Sequence, residues 1–228
     1  MKNYAKKLYD AHGIQGAFSP NITKKQILGC ILWPMIFPLY LTLFSLAEKL
    51  ITQTDYWVSY LPIDDYIPFV EHFVIFYVFW YAMLAATGLY LLFFNVDGLK
   101  RYCLFIGITF IGTLIFCALF PNGQDLRVDI ASLGRDNVFL RLVGALYSVD
   151  TNTNVLPSMH VLGCFGIIFA FLEEPEFKKH KLARAIVVVL NVLVMLSTVF
   201  LKQHSILDGI VAVPVAAIVY FIVYKLIK

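Results

Sequence analysis

Apolar runs of bilayer-crossing length recur along this chain, at 26–47, 70–94, between Arg101 and Pro121, at 157–172, 185–201 and 204–226. A helix needs about 20 predominantly apolar residues to cross a membrane, so six spans are expected. The fold class expected is all-α: a polytopic membrane protein with six transmembrane helices in one bundle. Composition agrees, because 60% apolar, 16% aromatic and only 14% charged residues leave too little polar surface to cover a water-soluble body. The net charge of +3 is spread over the loops, without a basic face interleaved with aromatics. It therefore points to membrane orientation and away from nucleic acid.

Residues 1–25 are polar and basic and form an expected cytoplasmic segment ahead of a single membrane domain, 26–228. The first apolar run starts too late and runs too long for a cleaved leader, and Pro34 and Pro38 should kink it. The stretch 48–69 turns polar among Trp57, Tyr60 and Tyr66, aromatics suited to a membrane interface. Glu71 and His72 read as a hydrated pair at the start of the second run. The long stretch 122–156 holds Phe139, Leu142, Val143, Leu146 and Tyr147 at helical spacing, an interfacial helix. The four cysteines all fall in apolar segments without paired spacing and read as packing residues.

Orientation follows from the basic residues. Of the 18 lysines and arginines, 13 fall on the N-terminal side of six spans and five on the other. Both termini should then be cytoplasmic, and an integral protein of the plasma membrane is expected. The starts of the fourth and sixth runs and the long 122–156 stretch share the outer side, near which an active site would lie.

Two short stretches carry chemistry there. Pro157-Ser158-Met159-His160 opens the fourth run, and His204-Ser205-Ile206-Leu207-Asp208 opens the sixth. On a helix, His204 and Asp208 would lie one turn apart on the same face, so that the carboxylate orients the imidazole. An imidazole held in this way is a nucleophile toward phosphorus. His160 could protonate a leaving alkoxide, while Arg127, Ser158 and Lys202 could hold the phosphoryl oxygens. No clustered metal ligands are present in the sequence, so neither a metal nor a cofactor is expected.

These stretches resemble motifs of the type 2 phosphatidic acid phosphatase family, membrane lipid phosphatases with six helices. Pro157 to His160 is similar to the second motif, Ser197 with His204 and Asp208 to the third, and Arg127 after Phe120-Pro121 to the first-motif arginine. The resemblance covers about 101–226. It implies that His204 is the nucleophile, Asp208 its orienting partner and His160 the acid, acting on a membrane lipid phosphate. Phe120 and Val128 stand where the first motif usually has lysine and proline. Thr198 stands for the third-motif arginine and Met159 for the second-motif glycine. That pattern resembles the branch of inositol phosphorylceramide and sphingomyelin synthases. The expected function is a lipid-phosphate phosphatase working through phosphohistidine. The alternatives are a lipid phosphotransferase, passing the group to an alcohol, and a catalytically silent transporter or scaffold on the same fold.

Overall fold

A computed structural model describes residues 1–20, 22–50 and 55–227, with backbone alone for 48–50. Lys228 and the side chain of Lys49, both used in the charge count, lie outside the described part. The α-helices are α1 (Lys2–His12), α2 (Lys24–Leu32), α3 (Ile36–Leu50), α4 (Val74–Phe94), α5 (Val96–Leu119), α6 (Val138–Val149), α7 (Met159–Glu173), α8 (Lys181–Phe200) and α9 (Ile206–Tyr220). A π-helical turn, Phe221–Leu226, extends α9. The two short strands β1 (Trp57–Val58) and β2 (Asn122–Gly123) pair in parallel. This pairing brings the segments after α3 and α5 to the same end of the helices.

Five of the described helical segments are long and apolar enough to cross a membrane: Lys24–Ala47, Glu71–Phe94, Val96–Leu119, Lys181–Phe200 and Ile206–Leu226. The first is broken by a 3₁₀ turn, Trp33–Met35, at Pro34, as a missing amide donor requires. The expected fourth span differs from the rest. Its helix α7 has only 15 residues, about 22 Å at 1.5 Å per residue, against a hydrocarbon core of about 30 Å. Pro157 precedes its Ser158 N-cap and Pro175 follows its end, so the chain stops it at both ends.

Shortness is offset by enclosure, for α7 packs against α4, α5, α8 and α9. Glycines allow the close approaches. A Cβ on Gly163 would lie 2.5 Å from the Trp80 ring of α4, and one on Gly166 would lie 2.8 Å from Ile106 of α5. Between Asp150 and α7 the backbone is irregular yet buried from Asn154 to Ser158, a condition tolerated only where partners satisfy its amides. Asn122 supplies them. Its fully buried side-chain oxygen accepts from Val155 N at 3.0 Å and Leu156 N at 2.8 Å, and its backbone oxygen accepts from Asn154 N at 2.8 Å.

Two segments make contacts that the sequence did not show. The N-terminal segment is no free tail: α1 buries Ala5 and Leu8 completely, Tyr4 meets Phe94 edge-on, and Val96 N donates to Gln15 O. Its apolar residues recur at three-residue spacing and cover the α4–α5 turn. Glu71 is likewise no hydrated residue. It is 5% exposed and accepts from Arg135 at 2.8 Å and Asn137 at 3.2 Å, which pins the loop before α6. His72 lies against Phe139. The amphipathic α6 forms, but its buried face differs from the expected stripe: Leu140 and Val143 are buried, whereas Leu142 is 46% exposed.

Candidate active site

The corner between α8 and α9 sets the site. Gln203 N and His204 N both donate to Thr198 O, and Lys202 adopts φ 55°, a left-handed turn that reverses the chain within a few residues. Ser205 then caps α9, its Oγ accepting from Leu207 N at 3.1 Å, while Asp208 reaches back to accept from Ser205 N at 3.1 Å. This reciprocal cap also determines the histidine geometry. His204 lies before the helix rather than one turn below Asp208 on its face, and the pair forms because the capping carboxylate already points backward. His204 Nδ1 and Asp208 Oδ2 are 3.0 Å apart.

Asp208 is fully buried, and its other oxygen accepts from Ser59 Oγ at 2.5 Å. With Nδ1 donating to the carboxylate, Nε2 of His204 is the ring nitrogen that carries the lone pair. The second histidine comes from α7, placed by a direct link between the two motifs: Ser158 N donates to Asp208 O at 3.1 Å. The His160 and His204 ring centres are 5.7 Å apart. His160 packs at a tilt against Tyr77 and Trp80, with ring centres 4.2 Å and 4.3 Å away. Its Nε2 is buried and makes no hydrogen bond among the described residues.

Three expected phosphate ligands have other tasks in this structure. Ser158 Oγ accepts from Val161 N at 3.4 Å, capping α7. Lys202 Nζ donates to Asp64 O at 2.7 Å and is 8% exposed. Burial holds its ammonium below the usual lysine range, although Asp64 and Asp65 pull the other way. Arg127 donates to the carbonyls of Tyr147, at 3.0 Å, and Asp150, and its guanidinium lies 4.5 Å from the centre of the Tyr147 ring. Those carbonyls close the C-terminal end of α6, where a cation is favourable. Thus Arg127 clamps α6 here, and Tyr147 carries the clamp onward by donating to Leu201 O at the corner, 2.6 Å away.

Residues that the sequence did not single out complete the site. Asp64 accepts from Ser205 Oγ at 2.6 Å and Ile206 N at 2.9 Å, so the loop between α3 and α4 holds the start of α9. Around the two histidines, Thr151, Thr153, Asn154 and Gln203 line a cavity of about 20 Å³, room for about one water. From His160 a groove of about 520 Å³ extends between α3, α4 and α5, lined by Phe37, Tyr40, Leu84 and Phe110, with Asp150 and Met159 beside the histidine. His160 thus lines both the small polar cavity it shares with His204 and the apolar groove.

Comparison of the chain with family models, with curated proteins and with solved structures finds no match.

Proposed function

We propose that this chain is a membrane lipid-phosphate phosphatase that works through a phosphohistidine on His204, in the manner of the type 2 phosphatidic acid phosphatases. The observation that carries the reading is the buried Asp208 carboxylate 3.0 Å from His204 Nδ1, with the His160 ring 5.7 Å from that of His204. The chain crosses the membrane six times in this reading, with α7 as the short fourth span, stopped by Pro157 and Pro175. Both termini are cytoplasmic and the histidines lie near the outer face of the plasma membrane.

Nε2 of His204 attacks phosphorus while Nδ1 keeps its proton and donates it in a hydrogen bond to the ionised Asp208, which stabilises the imidazolium character that develops. The phosphorus–oxygen bond to the lipid alcohol breaks, and His160 delivers a proton to the departing oxygen. Water enters, His160 takes its proton, and the hydroxide cleaves the phosphorus–nitrogen bond to release inorganic phosphate. The apolar groove beside His160 suits the hydrocarbon of a lipid phosphate. Arg127 or Lys202 would reach the phosphoryl group only by leaving its carbonyl partners. Transfer to an alcohol in place of water is the second reading, favoured by the motif positions filled by Phe120 and Thr198.

The test is purified protein in detergent with chelator present, assayed on phosphatidic acid for phosphate release and for headgroup transfer to an added alcohol. Wild type should release phosphate and form an acid-labile phosphoenzyme. His204→Ala should lose both. A phosphoenzyme that persists in that variant removes His204 from the role, and a well-folded wild type that neither hydrolyses nor transfers points to the silent protein.

A further inference from the structure

At the end of the helices opposite His204 lies a second pocket, of about 550 Å³, lined by Lys25, Lys100, Arg101, Asp97, Gln26 and Trp33. Its charge is one-sided, with three cations against one carboxylate. Two helices begin beside it: α2, capped by Thr23, and α5, capped by Asn95. Helix N-termini add positive potential to that of the side chains.

Trp33 belongs to a second feature as well. It lines an apolar groove of about 660 Å³ between α2–α3 and α5, whose other walls include Leu104, Gly107, Ile108, Ile111 and Ile115. From Arg101 to Ile115, α5 rises about 21 Å at 1.5 Å per residue, comparable to a long acyl chain. A cationic pocket therefore opens at one end into an apolar trough, with an indole at the junction, where aromatic rings favour the headgroup level. The helix forming one wall needs such a filler. None of the residues in the apolar window of Lys24–Ala47 is buried, so lipid must cover what protein does not.

We infer that this pocket and groove bind one anionic phospholipid of the surrounding bilayer, with its phosphate among Lys25, Lys100 and Arg101 and one acyl chain between α3 and α5. The bound lipid holds α2–α3 against the body from the side opposite the His160 groove. This site is independent of the histidine chemistry.

The test is native mass spectrometry of the full chain in detergent with dioleoylphosphatidylglycerol or dioleoylphosphatidylcholine, which share chains and differ in charge. Wild type and His204→Ala should each retain one phosphatidylglycerol more tightly than phosphatidylcholine, on the order of 10-fold or more for several cations at a membrane surface. The variant combining Lys25→Gln, Lys100→Gln and Arg101→Gln should lose that preference. Gly112→Leu should weaken retention of phosphatidylglycerol while leaving the fold intact, because a Cβ there meets nothing within 4 Å and the side chain enters the groove that Gly112 lines. Equal retention of the two lipids by wild type overturns the proposal. So does unchanged retention in either variant, since loss in the charge variant alone would describe an anion site without a chain.

Discussion

Ser59 donates a 2.5 Å hydrogen bond to Asp208 across 149 residues of sequence. Both side chains are fully buried, and the carboxylate uses its second oxygen for His204 and the Ser205 amide. Both oxygens of Asp208 are thereby held by donors from three residues. In the proposed reaction this carboxylate orients the nucleophile, and such fixing matters there because small misplacements are costly in rate.

Ser59→Ala should therefore lower turnover on a lipid phosphate by roughly 10-fold, matching the loss of one hydrogen bond to a charged group, with KM nearly unchanged. Asp208→Asn should lose far more, on the order of 10⁴-fold as for a misoriented triad imidazole. Steady-state kinetics of the two purified variants checks both. Normal turnover in Ser59→Ala would reduce the contact to packing.

His160→Ala should harm substrates unequally. An acid matters most for a lipid alcohol of high pKa and least for a phenol that departs unaided, so the lipid phosphate should lose about 100-fold or more in turnover and nitrophenyl phosphate far less. His204→Ala should abolish both. Equal losses in His160→Ala would make that residue a binding group.

For Arg127→Ala the expected first effect is on stability. Two hydrogen bonds from a charged group and a ring contact are removed from the end of α6, so a loss of about 2–3 kcal/mol is expected, and Arg127→Lys should restore little because it lacks the fork. Thermal unfolding in detergent reads this directly. A variant with normal stability and a raised KM for phosphate substrates would return Arg127 to the phosphate.

Glu174 lies at the opposite end, 3% exposed, with one oxygen accepting from Asn95 at 2.7 Å. Burial pushes its carboxyl above the usual range, with the Asn95 donor opposing. The folded chain therefore binds a proton over a pH window in which the unfolded chain has released it, and the stability so gained is lost as pH rises through the folded value. Glu174→Gln keeps an acceptor for Asn95 without the charge. It should melt higher than wild type at about pH 7, with the advantage fading at and below the ordinary carboxylate range near about pH 4.

Composition and the apolar runs were enough to indicate helices, their approximate limits, the break at Pro34 and the amphipathic α6, because these depend on local periodicity and on residues that cannot donate or must be shielded. The pairing of His204 with Asp208 was legible from spacing, although its form was not: a reciprocal helix cap and not a helix face brings them together. Tertiary structure alone decided the rest. Ser59, Asp64 and Asn122 carry no local signal, since a serine, aspartate or asparagine in a loop gains a role only when folding brings a distant partner within hydrogen-bond reach. The same holds for the bonds of Arg127 to the Tyr147 and Asp150 carbonyls, which form only when folding brings the end of α6 beside it. The short α7 shows the division most clearly: its 15 residues are set by Pro157 and Pro175, and its burial is set by neighbours that meet it across Gly163 and Gly166.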